Sequence, residues 1–216
     1  MTTATLPGRR ADPGLPSRRL VAFLLGLVFF VSGFAAILYQ VVWQRTLFAA
    51  IGINIEAVTL IVTTFILGLG LGSLSGGGLS RAPPRQQVQR FAAVELGVGA
   101  FGLVSLPLLH RVGAWTLGMS ALGTGAVTFA VLVPPTLGMG ATLPILVAYY
   151  VRRFGNVGTA VGGLYFVNTL GSAMAAFAAA LWLMEAMGQS GVILVAACCN
   201  FTSAAVAFLV SRTEES

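Results

Sequence analysis

Residues 20–42, LVAFLLGLVFFVSGFAAILYQVV, decide the class of fold, because these 23 residues contain no charged side chain. A helix of about 20 apolar residues is long enough to cross the hydrocarbon core of a bilayer. The apolar core of a secretory signal peptide is shorter, about 7–15 residues. We therefore interpret the stretch as an uncleaved signal anchor that forms the first transmembrane helix.

The composition of the rest of the chain agrees with a membrane protein. Hydrophobic residues make up 57% of the sequence and charged residues 8%, whereas a soluble domain has about 25% charged residues. So few charges cannot cover a water-facing surface, and the lipid bilayer is the expected partner. Hydropathy predicts five more spans, at residues 57–79, 91–109, 127–149, 157–182 and 191–210. The predicted fold is an all-α membrane bundle of six transmembrane helices.

The arginines predict the orientation of this bundle. The net charge of +6 comes from arginine alone, since the sequence has no lysine. With six spans, one side of the membrane holds Arg9, Arg10, Arg18, Arg19, Arg81, Arg85, Arg90, Arg152, Arg153 and Arg212, and the other holds Arg45 and Arg111. Cytoplasmic loops carry the excess of positive charge, so both termini are predicted to be cytoplasmic.

This orientation gives a simple division of the chain in the cytoplasmic (inner) membrane. Residues 1–19 are predicted to be a disordered cytoplasmic tail, 20–210 the helix bundle and 211–216 a second cytoplasmic tail. Residues 112–125 either lie along the outer interface or extend the third helix. Because the arginines lie between apolar spans and not along one polar face, the basic charge does not indicate nucleic acid binding.

Small residues recur at helical spacing on two spans, which predicts close helix packing. Lipid gives helices no hydrophobic reason to associate, so close backbone approach must hold them together. One stripe lies on the second span and a similar one on the fifth; their glycines are Gly68, Gly72 and Gly76, and Gly158, Gly162 and Gly171. The stripes are expected to pack within one chain, with a homo-oligomer seam as the alternative.

The fourth span contains Pro134, Pro135, Gly140 and Pro144. Proline has no N–H to bond the carbonyl four residues earlier, and free carbonyls at membrane depth must be buried in protein or line a wet cavity. One interpretation is a broken helix that faces a path for a cation or substrate. The other is a kink healed by Thr136 or Thr142.

A few polar residues within the spans are candidates for function. Glu95 is the one acidic residue inside a span, which predicts a cation or proton site, with pairing to nearby Arg90 as the alternative. Asn168 forms a bond between helices or contacts a polar substrate. Gln40 marks the outer end of the first span and joins this predicted path. Just beyond Gln40, the expected interface anchors are Trp43 and Arg45.

Several kinds of chemistry have no residues to support them. His110 is the single histidine, and the two cysteines are adjacent in an apolar span. These residues do not make a metal-ligand set or a nucleophile–base arrangement. The sequence therefore predicts no metal, no cofactor and no catalytic residue.

Six short motifs, in this order and spacing, resemble the membrane domain of membrane-integrated spermidine synthase-like proteins. They cover most of residues 20–210 and are Ser32-Gly33-Phe34, YQVVWQR at 39–45, LGLGLGS at 67–73, VELG at 94–97, PPTLGMGATLP at 134–144 and LYFVNTLG at 164–171. The resemblance implies a transporter-like membrane region. Relatives usually continue into a cytoplasmic aminopropyltransferase-like domain, which these 216 residues do not include.

The resemblance implies a non-catalytic membrane component of a spermidine synthase-like system. Such a component anchors a cytoplasmic aminopropyltransferase-like partner or handles polyamine-like cations, and is not expected to be an enzyme by itself. Two alternatives are a small transporter for a cationic solute that acts as a homo-oligomer, and a structural subunit of a larger membrane complex.

Overall fold

The computed structural model describes residues 18–51 and 55–213, and every element within these ranges is helical. Six α-helices follow one another, and a single π-helical segment, Ala179–Leu183, precedes the last of them. The helices are α1 (Arg18–Ile51), α2 (Ile55–Leu79), α3 (Pro84–Trp115), α4 (Ala121–Phe154), α5 (Val157–Ala178) and α6 (Met184–Thr213).

Five helical stretches are long and apolar enough to cross a membrane: Arg19–Ala49, Val58–Leu79, Pro84–Trp115, Leu122–Phe154 and Val157–Thr213. The last has 57 residues, which would extend about 85 Å if straight at 1.5 Å per residue. The hydrocarbon core of a bilayer is only about 30 Å thick. The predicted fifth and sixth spans both fall within this stretch.

Contacts with α1 give the direction of α5. The Asn168 side-chain amide donates to the carbonyl of Phe29 at 3.1 Å, and the Ser172 hydroxyl donates to the carbonyl of Gly33 at 3.2 Å. Residue numbers rise together on both helices. Therefore α5 runs parallel to α1.

Contacts with α1 show that α6 runs the other way. The Ser203 hydroxyl donates to the carbonyl of Val28 at 3.3 Å, while the Thr46 hydroxyl lies 2.9 Å from the side-chain oxygen of Gln189. The chain reverses at Gly188, whose φ of 62° and ψ of −176° interrupt the helix. Glycine populates positive φ readily because it has no Cβ, which fits it for this turn.

Arginines hold the turns together at one end of the bundle. Arg152, in the last turn of α4, donates to the carbonyls of Ala82 at 2.9 Å and Arg81 at 3.3 Å. Arg90 donates to the carbonyl of Leu79 at 2.5 Å. The last carbonyls of a helix have no partner within the helix, so Arg90 satisfies one at the end of α2.

The glycine stripe of α2 packs against α4 within the chain. A Cβ on Gly72 would stand 2.9 Å from the carbonyl carbon of Leu137, and one on Gly76 would stand 2.6 Å from the ring of Pro144. Gly68 meets the side chain of Thr136 in the same way. This close approach is the packing that small residues permit between membrane helices.

The stripe expected on α5 is shorter than the sequence suggested. At Gly171 a Cβ would stand 3.0 Å from the carbonyl carbon of Phe30 on α1. Gly162 faces open space, and a Cβ on Gly158 would meet only the nearby Asn156 side chain. The three glycines do not form one packing face, because α1 meets only the later part of this row.

The helix α4 continues from Ala121 to Phe154 through all three of its prolines, so the interruption that one of the two interpretations predicted is absent. The Thr136 hydroxyl donates to the carbonyls of Leu132 at 2.9 Å and Val133 at 3.0 Å, and Thr142 donates to Met139 at 2.6 Å. The carbonyls that the prolines leave without an N–H belong to Ala130, Val131 and Gly140, so neither threonine hydroxyl bonds one of them. Neighbouring helices can also support a proline-containing membrane helix. The interpretation as a broken helix is therefore corrected.

Trp43 lies in the core and not at an interface. Its ring is fully buried, stacks on Tyr39 with 5.3 Å between centroids and contacts Phe65 and Phe101. The indole N–H donates to the Ser105 hydroxyl at 2.9 Å. Since the bundle satisfies this N–H, Trp43 needs no place among lipid head groups. Arg45, predicted as the second anchor, is exposed.

The ends of the helices differ from the predicted bounds by a few residues. Arg18 and Arg19 belong to α1, and α6 continues to Thr213. The remainder of the two predicted tails, residues 1–17 and 214–216, lies outside the described residues. Of residues 112–125, the first four extend α3, a short turn follows and Ala121 begins α4.

Candidate functional site

Glu95 lies on α3 in the interior of the bundle, with 2% of its surface exposed. One carboxylate oxygen accepts a hydrogen bond from the Ser32 hydroxyl on α1 at 2.5 Å. The other accepts from the Asn200 side-chain amide on α6 at 2.7 Å. Three helices therefore meet at this carboxyl group.

Both hydrogen bonds to Glu95 come from neutral groups. Arg90 contacts the carbonyl of Leu79, so the alternative in which Arg90 pairs with Glu95 does not hold. Burying a carboxylate without an ion partner is costly, and such a group tends to acquire a proton or a cation. The side-chain oxygen of Asn200 is also buried and without a hydrogen-bond partner. The Glu95 site therefore has unused capacity for a positive charge.

A cavity of about 390 Å³ lies between α1, α2, α4 and α5, directly beside this site. Ser32 is part of the cavity wall and also donates to Glu95. Gln40, Asn168 and Gly140, three residues that the sequence assigned to a polar path, line the same cavity. The Glu95 carboxyl group is thus joined to the cavity wall through its hydrogen bond with Ser32.

The cavity opens towards the outside of the bundle between α2 and α5. Two of its lining residues, Leu69 and Tyr165, are 40% and 62% exposed. Further polar groups on the wall are the hydroxyls of Ser73, Thr142 and Ser172. The cavity wall therefore carries polar groups in addition to Ser32.

Asn168 both joins two helices and lines the cavity. Its side-chain amide joins α5 to α1 through the carbonyl of Phe29, and its backbone approaches Gly33 so closely that a Cβ there would clash. It also lines the cavity. The two alternatives drawn from the sequence, helix packing and substrate contact, are therefore compatible.

The prolines of α4 are not all near the cavity. Pro134 is exposed and Pro135 is buried, and neither lines the cavity. Gly140 lines the cavity. Pro144 lacks the N–H that would otherwise bond the Gly140 carbonyl. Of the proline-related candidates, Gly140 is the one close to the site.

The sequence did not single out Ser32 or Asn200 as partners of Glu95. Both are polar residues in otherwise apolar spans, which is a reason to suspect function or bonding between helices. Whether a polar residue on another helix meets Glu95 depends on helix adjacency, which hydropathy does not report. Within the described residues, no group of three His, Cys, Asp or Glu side chains could hold a metal ion.

The fold and the site define an all-helical bundle of membrane-spanning character with a polar cavity next to a buried carboxyl group. No protein-family model, curated protein or solved structure matches the chain.

Proposed function

We propose that this chain is a multi-pass component of the cytoplasmic membrane that binds a small organic cation, of the polyamine type, in the cavity beside Glu95. The observation that carries the proposal is the position of Ser32, which belongs to the cavity wall and is hydrogen-bonded to the buried carboxyl group. A cation in the cavity would supply the positive charge that the neutral partners of Glu95 do not.

The chemistry of the wall supports an ammonium ligand. The Ser32 hydroxyl donates its one hydrogen to Glu95. The lone pairs of its oxygen remain available as acceptors. An ammonium group has three donors and no acceptor, so it complements this oxygen and the side-chain oxygens of Gln40 and Asn168. The volume of about 390 Å³ falls within the range of small-molecule sites, about 300–1,000 Å³.

The proposed topology has six spans with both termini in the cytoplasm. The reversal at Gly188 supports it, because α5 and α6 contact α1 in opposite directions. The arginines at the α2–α3 and α4–α5 turns support the orientation, since they lie at one end of the bundle. A homo-oligomer is compatible with this topology but not required by it.

A binding measurement tests the proposed ligand class. Purified protein in nanodiscs of zwitterionic lipid is titrated with spermidine by calorimetry. Glu95→Gln keeps the shape of the side chain and removes its charge. We expect it to weaken binding about 30- to 100-fold, because two unit charges separated by one hydroxyl group, about 5–8 Å, interact by about 2–3 kcal/mol at an effective dielectric constant of about 20.

Glu185 provides a matched control. It is the other acidic residue whose side chain is described, and it is exposed near the turn at Gly188. Glu185→Gln should leave the affinity within twofold. Absence of saturable spermidine binding by the unaltered protein, or an equal effect of both substitutions, would contradict the proposal. In that case, recovery of an aminopropyltransferase-like protein with the chain from native membranes would favour the anchoring role.

A further inference from the structure

The two side chains that bond Glu95 can each act as a donor and as an acceptor. The Ser32 hydroxyl donates to one carboxylate oxygen at 2.5 Å, and the Asn200 amide donates to the other at 2.7 Å. A hydroxyl has a donor and acceptor lone pairs, and a primary amide has a donor nitrogen and an acceptor oxygen. An arginine or a lysine in either place could only donate and would hold the carboxyl group in its ionised form. The partners of Glu95 are therefore compatible with both of its protonation states.

The Asn200 amide is held in place by no other group. Its nitrogen donates to Glu95, and its oxygen is buried without a hydrogen-bond partner in a residue that is 2% exposed. Rotation about the Cβ–Cγ bond would turn the oxygen towards Glu95, where the O–H of a carboxylic acid can donate to it. An amide whose oxygen was bonded elsewhere could not make this exchange. Asn200 can thus bond Glu95 with its nitrogen when the carboxyl group is ionised and with its oxygen when it is neutral.

Among the described residues, no basic side chain bonds Glu95 from the helices that pack against α3, which are α1, α4 and α6. The titratable groups that interact with Glu95 are the Tyr39 hydroxyl on α1 and the Cys199 thiol on α6, and both groups are ordinarily uncharged at neutral pH. Residues 121–148 of α4 include no titratable side chain. On α3 itself, Arg90 bonds a backbone carbonyl at the end of α2. A carboxyl group buried among neutral groups takes up a proton instead of remaining ionised.

We propose that Glu95 is a proton-binding site and that a cation entering the cavity displaces this proton. The second half of the proposal rests on the proposed function. Without a ligand the carboxyl group is neutral, and a cation beside Ser32 stabilises its ionised form. A proton needs no volume at Glu95, which does not itself line the cavity. Cation and proton therefore bind in competition, although they occupy different places.

Ser32 provides the route by which the proton leaves, because its hydroxyl bonds Glu95 and belongs to the cavity wall. The carboxylic acid donates its proton to the Ser32 oxygen, and the hydrogen already on that oxygen passes to a water molecule in the cavity. Glu95 becomes a carboxylate, Ser32 remains a neutral hydroxyl, and the positive charge departs with the water. By linkage, the proton weakens cation binding by the same factor by which the cation weakens proton binding.

The proton site is tested first without a ligand, by infrared spectroscopy of the full chain in an ester-free detergent at neutral pH. A neutral carboxyl group has a C=O absorption band that an ionised one lacks. We expect this band in the unaltered protein, its loss in Glu95→Gln and a shifted band in Glu95→Asp, which keeps an acid at the position. Glu185→Gln is the matched control, because Glu185 is exposed, and it should leave the band unchanged. Absence of the band from the unaltered protein, or its persistence in Glu95→Gln, would overturn the proposal.

Spermidine then tests the exchange. Saturating spermidine should remove the band at constant pH, and calorimetry in buffers of different ionisation enthalpy should show release of about one proton per cation bound. The affinity should fall by up to about tenfold for each unit by which the pH is lowered, because the proton then competes better. Glu95→Gln should bind without proton release or this pH dependence, so its deficit in affinity should grow as the pH is raised.

The outcomes separate this proposal from the proposed function. Spermidine binding that leaves the band in place and releases no proton would overturn the exchange, while the cation cavity would stand. Failure of spermidine to bind, with the band present, would contradict the cation cavity and the exchange together, and Glu95 would stand as a proton site alone.

Discussion

At the scale of single residues, the Trp43 indole begins a chain of hydrogen bonds that α3 completes. Its N–H donates to the Ser105 hydroxyl at 2.9 Å, and Ser105 donates to the carbonyl of Gly102 at 2.7 Å. Ser105→Ala would leave the buried N–H unpaired, which costs about 1–3 kcal/mol. We expect this loss in the free energy of unfolding, measured by titration with a denaturing detergent in mixed micelles.

Ser75 is the control for that measurement. Its hydroxyl donates to the carbonyl of Gly72 within α2, and the residue is exposed. Ser75→Ala should change the free energy of unfolding by less than about 0.5 kcal/mol, as is usual for surface substitutions. Equal effects of the two alanine variants would mean that the Trp43–Ser105 bond does not stabilise the bundle.

Some features of single residues could be predicted from the sequence, and others could not. Glu95 is conspicuous because an acidic residue in an apolar span is costly, and the structure buries it between helices. Its role as a cation or proton site stays a prediction. Its partners were not predictable, since Ser32 and Asn200 are 63 and 105 residues away in the chain. Trp43 resembled an interface anchor because Arg45 is close by. Its actual environment depends on Ser105, from another helix.

At the scale of elements, the contact between α2 and α4 gives a direct test of close packing. A methyl group on Gly72 would meet the backbone of Leu137 and the Cα of Gly140 at 3.0 Å. Gly72→Ala should therefore destabilise the bundle by about 1–3 kcal/mol, the usual cost of overpacking. The free energy of unfolding in mixed micelles is again the measurement.

Gly77, five residues later on α2, meets nothing within 4 Å at its Cβ position. Gly77→Ala should be neutral or should stabilise the helix by about 0.5–1 kcal/mol, because alanine restricts the unfolded chain more than glycine. If Gly77→Ala destabilises as much as Gly72→Ala, a general effect on membrane insertion would explain both results. The α2–α4 contact would then not be the cause.

Glycine spacing predicted one helix contact well and another poorly, for a physical reason. A four-residue repeat shows that small residues share a face, but not that another helix covers it. On α2 the face of Gly68, Gly72 and Gly76 meets α4, whereas Gly162 on α5 stays open. Proline content was misleading in a related way, because the neighbours of a membrane helix can keep it continuous where its own sequence is unfavourable.

At the scale of the whole molecule, the number of spans depends on how the last helical stretch is divided. By length and composition Val157–Thr213 counts as one helical region, although the polar residues Glu185 and Gln189 separate two apolar segments within it. Its reversal depends on Gly188 and on contacts with α1 that are distant in sequence. The arginine distribution supplies independent information, because it follows the side of the membrane and not the apolarity of the helices.

The proposed topology predicts which positions a membrane-impermeant maleimide can reach in intact cells. In a background with Cys198→Ala and Cys199→Ala, Leu117→Cys and Ser190→Cys should be labelled from outside, since both residues are exposed and lie at the α3–α4 turn and beside Gly188. Arg81→Cys and Thr213→Cys should be labelled only after permeabilisation. Labelling of Thr213→Cys in intact cells, with Arg81→Cys still protected, would mean an odd number of spans. Because α6 runs opposite to α5, we expect Ser190 and Thr213 to report opposite sides of the membrane.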